Sequence, residues 1–460
     1  MIKDKTYAVP NVHEKAGKYD PAKRPPIRVS VPGSKSITNR ALLLAALAQG
    51  TSTLRGVLFS DDSRHFLQCM QELGFETEVS ESRQEVRITG LGGAVPEEEA
   101  SLYVGSAGTA ARFLTAYLGV SQGVYHMDAS EQMRRRPMAP LIASLRELGC
   151  EILCEKEEGF FPFTVRGHGF GKQTISVNIE HSSQFLSALL ISSCMCAEDM
   201  TVNIEGAHGL SYIGITTRMM EQFGVHAQPQ YYCMGNGENH DCCGCVNSTR
   251  PMGYRIAAGQ QYRALDYQIE PDVSAACYFY ALGALLHIPM QVLQVHKSES
   301  MQGDTAFLDI LAQMGCTLQE DARGLILLPP EKGRLSGVTA DMSACSDQAI
   351  TLAAIAPYAD SPTTITGIGH IRFQECDRLH AIVTELGRMG IRCESTDSSI
   401  TVYPGSPRPC TVRTYEDHRM AMGFALTGLK ADGIVIDDPG CCRKTFEDYF
   451  ETLENCLAQL

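Results

Sequence analysis

Phe307-Leu-Asp-Ile-Leu-Ala-Gln-Met-Gly-Cys-Thr-Leu318 is the stretch from which the architecture can be read. Phe307, Ile310, Leu311 and Met314 fall at i, i+3, i+4 and i+7, which gives a helix one apolar face. Gly315 stands where helices commonly end in a left-handed residue, and Cys316-Thr-Leu318 then reads as the start of a strand.

The phrase recurs along the chain. Leu67 to Gly74 leads into Phe75-Glu-Thr-Glu-Val79, and Leu141 to Gly149 leads into Cys150-Glu-Ile-Leu153. Arg218 to Gly224 precedes Val225, and Ala381 to Gly390 precedes Ile391-Arg-Cys393. The glycines at 74, 149, 224, 315 and 390 are spaced 75, 75, 91 and 75 residues apart. A final, truncated copy is predicted to close with a helix over Phe446 to Leu457. Six repeats follow, three on each side of a longer connection. The one long interval contains an insertion, about residues 231–250, with Cys233, His240, Cys242, Cys243 and Cys245. These lack the separated pairs of a zinc knuckle, so the insertion reads as decoration near a domain junction and no metal is expected.

Composition narrows the function. The 460 residues are 44% hydrophobic and 20% charged, enough for two domains with ordinary cores. A net charge of −14 argues against nucleic-acid binding, so cations serving an anionic ligand must be gathered locally. No apolar run is long enough to span a bilayer, and the charged first 28 residues read as neither a signal nor a transit peptide. The 18 scattered cysteines read as reduced, small apolar residues, and a cytoplasmic location is expected.

Several polar clusters break the apolar patterns. Pro32-Gly-Ser-Lys-Ser-Ile-Thr-Asn-Arg40 lies between a β-like run, Ile27 to Val31, and a buried helix predicted from Ala41. A helix start with Lys35 and Arg40 suits an oxyanion or a phosphate, although a capped surface helix has equal claim. It is not a Walker loop, because Ser34 occupies the place of the glycine before the lysine. Val104-Gly-Ser-Ala-Gly-Thr109 and Ser182-Ser183-Gln184 open two more helices, with a glycine-rich turn or a simple cap as the plainer reading. Arg136 precedes a proline in a run of three arginines that alone suggests a solvated surface. Gln374-Glu375-Cys376-Asp377-Arg378 and Asp417-His418-Arg419 place acids beside arginines, as surface ion pairs also do. Asp347 is readable as an N-cap, and Lys444 falls in a loop. Together, Lys35, Arg40, Arg136, Arg378, Arg419 and Lys444 suit two anions, with Asp347 and Glu375 as acid/base candidates.

From about Val29 onward the order of these motifs resembles the 5-enolpyruvylshikimate-3-phosphate synthase family. The resemblance is carried by Pro32-Gly-Ser-Lys-Ser, Gly105-Ser-Ala-Gly-Thr109, Arg136-Pro137, Ser182-Ser-Gln184, Glu375-Cys-Asp-Arg378, Asp417-His-Arg-Met420 and Lys444-Thr-Phe446. It implies an α/β (α+β) fold of two similar domains, each of three βαβαββ units, the inverse α/β barrel of the enolpyruvyl transferases. One domain would comprise 1–33 with 271–460 and the other 34–270, with crossings near Gly33 and Glu270 and an active site in the interdomain cleft.

The implied reaction moves the enolpyruvyl group of phosphoenolpyruvate to the 5-hydroxyl of shikimate 3-phosphate, with no cofactor and no metal. The resemblance assigns catalysis to Asp347, Glu375 and Lys35. It assigns phosphoenolpyruvate to Lys35, Gly108, Arg136, Gln184, Arg378, Arg419 and Lys444. Shikimate 3-phosphate goes to Lys35, Ser36, Arg40, Ser182, Ser183, Gln184, Asp347 and Gln374. Its small-molecule partners are those two substrates, and a monomer is expected.

Three positions depart from the family's pattern. Ser106 replaces an asparagine, Gly209 a serine, and Gln374 a lysine whose loss leaves His370, Arg372 or Arg218 to compensate. UDP-N-acetylglucosamine enolpyruvyl transferase is the nearest alternative. It is disfavoured by Ser36 and by the lack of a cysteine in Arg134 to Met138. A non-catalytic relative that binds phosphorylated ligands is the other reading.

Overall fold

A computed structural model of the chain describes residues 5–206, 209–231 and 250–460, so the Cys/His insertion and His208 lie outside the described residues. The chain divides into a two-segment unit, Met1–Ser34 with Glu270–Leu460, and a continuous unit, Lys35–Ile269.

The continuous unit has three four-stranded sheets of one design. In each, a parallel pair joined by a helix is extended by two antiparallel strands. Glu99–Tyr103 lies parallel to Gln122–Asp128, followed in space by Phe163–His168 and Glu151–Cys154. Thr174–Asn178 and Met200–Glu205 begin the next, continued by Gly253–Ile256 and Ala227–Gln230. In the third, the chain order is permuted. Asp266–Gln268, at the end of the unit, lies parallel to Gln49–Arg55 at its beginning.

The two-segment unit repeats the design. Ile27–Val29 pairs in parallel with Met290–Val292, so the continuous unit is inserted within this repeat. Thr339–Asp341 and Thr363–Thr366 start a second four-stranded sheet. The last sheet has Cys410–Val412 parallel to Ile434–Ile436 and is completed by the N-terminal strand Tyr7–Ala8, with Tyr7 opposite Ile436. This corrects the expectation that the last repeat is finished by its own closing helix. That helix runs Tyr449–Ala458, and the missing strand comes from the other end of the sequence.

Each repeat has one helix buried on nearly all sides and one amphipathic helix. The buried ones are Lys35–Leu47, Gly108–Val120 and Gln184–Ser193 in the continuous unit, and Val273–Leu286, Ala349–Ile355 and His418–Gly428 in the other. Their Ala, Leu and Gly content permits close packing on every face. The amphipathic helices end at the periodic glycines. Gly74, Gly149, Gly224, Gly315 and Gly390 all have positive φ, from 77° to 106°. At each, the glycine N–H reaches the carbonyl three residues back and the next N–H reaches the one five back, as in Gly315 to Ala312 and Cys316 to Leu311. This paired closure is the Schellman motif, and the left-handed residue it requires explains why the period is marked by glycine.

Candidate active site

Helix N-termini carry the polar clusters in both units. The first correction concerns Lys35: its helix begins at that residue, not at Ala41, so Ser36 and Arg40 lie inside the helix. The Lys35 Nζ is 3.7 Å from the Asp62 carboxylate, whose side chain is buried. Arg40 is 2% exposed. Its Nε donates to the Thr216 hydroxyl at 2.8 Å, Nη1 to the Ser36 carbonyl at 2.9 Å, and Nη2 to Ser187 Oγ and the Tyr212 carbonyl. The guanidinium also lies over the Phe113 ring. No acid pairs with it among the described residues, and burial lowers its pKa to about 10. A buried arginine that remains charged near neutral pH, held by neutral acceptors, has the electrostatics of an anion receptor.

The helix Gly108–Val120 shows why its first residue is glycine. A Cβ there would lie 2.5 Å from Arg112 Nη1 and 2.9 Å from Arg136 Nη1. Two guanidiniums thus approach the positive end of one helix. Arg112 Nη1 donates to the Gly108 carbonyl at 3.2 Å and to Gln184 Oε1 at 2.8 Å, which fixes Gln184 at the start of the next buried helix. Ser182 Oγ accepts the Gln184 N–H at 3.2 Å, and Ser183 is buried. Gly209 abuts Ser183: a Cβ on this φ +63° residue would sit 2.6 Å from Ser183 Oγ. A serine could not be placed there without moving Ser183.

In the two-segment unit the acid–arginine motifs form a buried network, not the surface pairs that their sequence also allowed. Arg378 is 1% exposed. It bonds Asp417 through Nε at 2.7 Å, Asp347 through Nη1 at 2.9 Å and Glu375 through Nη2 at 2.8 Å, and it also donates to Gln374 Oε1. Burial opposes its charge, but Asp417, Glu375 and Asp347 outweigh that and hold it above the ordinary arginine value. Arg419 donates to the other Asp347 oxygen at 2.5 Å, and Lys444 lies 2.9 Å from the other Glu375 oxygen. Asp347 is therefore no N-cap; both of its oxygens are on arginines. Lys444 is buried at the end of a 3-10 turn, Pro439–Lys444, not in an open loop.

Asp417 caps the helix His418–Gly428 by accepting the Arg419 N–H, and Asp272 caps Val273–Leu286 by accepting the Ala275 N–H. Aspartates thus offset the positive helix ends of this unit, whereas hydroxyls and cations occupy the corresponding ends in the other.

Among the three candidates to offset Gln374, Arg372 is committed to Asp377 and Asp397, Arg218 is exposed, and His370 Nε2 lies 2.7 Å from Ser346 Oγ, next to Asp347. Sequence reasoning missed Asp62, Arg112 as the holder of Gln184, and Asp417 as the anchor of Arg378. The Ser60/Ser63 capping box ahead of a buried helix face was the one local hint that Asp62 turns inward.

Among the described residues no His/Cys/Asp/Glu group is arranged to hold a metal, and no helix is long and apolar enough to cross a membrane.

The family model for EPSP synthase (3-phosphoshikimate 1-carboxyvinyltransferase) matches residues 22–453. The 3-phosphoshikimate 1-carboxyvinyltransferase of Trichormus variabilis is 42% identical over 432 residues, covering 94% of this chain and 96% of the relative. That of a Nostoc species is 43% identical over 423 residues, covering 92% and 94%. The structure of EPSP synthase from Acinetobacter baumannii superposes with a TM-score of 0.75 at 23% identity over 98% of this chain and 97% of the other, a likeness of fold. A family match from residue 22 to residue 453, with relatives above 40% identity along nearly their whole length, establishes that this chain belongs to the EPSP synthase family of transferases.

Proposed function

We infer that the chain transfers the enolpyruvyl group of phosphoenolpyruvate to the 5-hydroxyl of shikimate 3-phosphate, releasing phosphate. The observation that carries this reading is the shared arginine: Asp347 and Glu375 are both held by Arg378, and each has a second cation, Arg419 or Lys444. Two carboxylates between three cations supply proton carriers and anion-binding donors together.

In this reading the carboxylate and phosphate of phosphoenolpyruvate exchange into the hydrogen bonds of Arg378, Arg419 and Lys444. As the arginines turn to the substrate, their hold on Asp347 weakens and its basicity rises. Glu375, as the acid, gives a proton to C3 of phosphoenolpyruvate, with Lys35 assisting. The 5-hydroxyl oxygen bonds to C2 while Asp347 takes its proton, forming a tetrahedral adduct. The C2–O bond to phosphate then breaks, a C3 proton returns to Glu375, and the double bond is restored. Fixed cations stabilise the adduct electrostatically.

Arg40, with Ser36, Ser182, Ser183 and Gln374, holds the phosphate and hydroxyls of shikimate 3-phosphate; its buried, acid-free setting supports that role. Arg136, Gly108 and Gln184 serve phosphoenolpyruvate at the Gly108–Val120 helix end. The protein acts as a monomer in the cytoplasm, consistent with its free cysteines.

A phosphate-release assay tests the reading. Release should require both substrates, one phosphate per enolpyruvyl group transferred. Binding of both without release would establish a non-catalytic relative instead.

A further inference from the structure

The 3-10 turn Gly303–Thr305 carries Asp304, which differs from every acid in the Arg378 network. It is 4% exposed. Its Oδ2 accepts the Ser274 hydroxyl, while Oδ1 has no partner among the described residues, and no lysine or arginine forms an ion pair with it there. Asp347, Asp417 and Glu375, by contrast, each rest on a cation.

The turn packs on the helix Val273–Leu286 and on the 3-10 turn Ser346–Gln348, which carries Asp347. Gln348 Nε2 donates to the Ser274 carbonyl at 3.3 Å, tying the two contacts together. The groups facing Asp304 are Asp272 and Cys277 from the helix, Cys345 and Asp347 from the second turn, and Arg419. Among these only Arg419 and the Ser274 hydroxyl favour a carboxylate. Burial, then Asp347, oppose it, and the Asp304 pKa is pushed up to about 7. Neighbouring buried carboxylates do not both ionise readily, and Asp347 has the arginines.

We propose that Asp304 is a positioning residue that sets the charge of the Asp347–Arg419 pair. As the neutral acid it makes no demand on Arg419; as the carboxylate it draws on Arg419 and repels an incoming anion. The inference rests on the reading of Arg419 as a phosphoenolpyruvate donor. A structural role alone would hold the turn in place and leave no trace in a pH profile.

The test compares wild type with Asp304→Asn, which keeps the shape and an acceptor for Ser274. In wild type the KM for phosphoenolpyruvate should rise through neutral pH by up to about tenfold per pH unit relative to the variant, with kcat changing less. Ser274→Ala, which removes a hydrogen bond favouring the carboxylate, should move that rise to higher pH. Aspartate ¹³Cγ spectra should show one carboxyl titrating near neutrality in wild type and none in Asp304→Asn. Superimposable KM profiles, or no carboxyl titrating near neutrality, overturn the proposal. If wild type releases no phosphate, the functional reading fails separately. Inorganic phosphate then serves as the probe, and a pH dependence of its affinity unaltered by Asp304→Asn overturns the proposal.

Discussion

Arg378 and Asp417 meet through two hydrogen bonds, Nε to Oδ2 at 2.7 Å and Nη2 to Oδ1 at 3.3 Å, with both side chains out of water. The pair fixes the guanidinium plane, and so fixes which N–H groups reach Asp347 and Glu375. Asp417→Ala should cost about 3–5 kcal/mol, the penalty for leaving one charge of a buried pair. Asp417→Asn should cost less, because asparagine remains a good helix cap. Urea unfolding of both variants checks this, and equal small losses would contradict it.

Glu375→Gln removes the proton carrier while keeping the shape beside Arg378 and Lys444. Turnover should fall by about 10²–10⁴ with substrate affinity nearly intact. Unchanged kcat in steady-state phosphate release would show that the C3 proton is handled elsewhere.

Asp62 faces Lys35 from a buried helix position whose start is already capped by Ser60 and Ser63. Asp62→Asn should therefore spare the fold and loosen the lysine. The expected effect is a KM for phosphoenolpyruvate roughly tenfold higher, equivalent to about 1.4 kcal/mol. A fall in kcat alone would argue against the positioning role.

Gly149 and Gly315 have the same φ, +106°, but different neighbours: a Cβ at 149 meets nothing nearer than 3.7 Å, and one at 315 meets Pro330 Cβ at 3.3 Å. Gly149→Ala should cost about 1–2 kcal/mol from the backbone alone. Gly315→Ala should cost at least as much. Denaturant midpoints for the two variants would separate backbone strain from crowding.

The raised pKa of Asp304 also bears on stability. The folded chain holds this proton to about pH 7, whereas an unfolded aspartate releases it near about pH 3.9. Its contribution is therefore complete below the unfolded value and is lost as pH rises to neutrality. Thermal unfolding of Asp304→Asn should show a flatter decline across that window than wild type.

The repeats were legible because they are local. A Schellman glycine and an i, i+3, i+4, i+7 stripe need no knowledge of distant residues, which is why Gly74 through Gly390 located five helix ends. The buried state of Arg378 was not legible. Gln374 to Arg378 reads the same whether it faces water or Asp417, 39 residues later. The start of the Lys35 helix was missed for a related reason: Ser36, Thr38 and Asn39 are weak helix formers, and burial against neighbouring helices overrides propensity. The N-terminal strand was beyond local reading, since its partner lies more than 400 residues away.

That pairing of Tyr7–Ala8 with Ile434–Ile436 has a consequence for biosynthesis. The first strand to leave the ribosome waits for one of the last, while Lys35–Ile269 is made in one continuous run between them. The continuous unit has all its strands by Gln268 and can fold during synthesis. The two-segment unit closes only after release of the chain's far end, so its N-terminal segment spends most of translation without its sheet. Chaperone dependence and aggregation during expression should therefore track the two-segment unit.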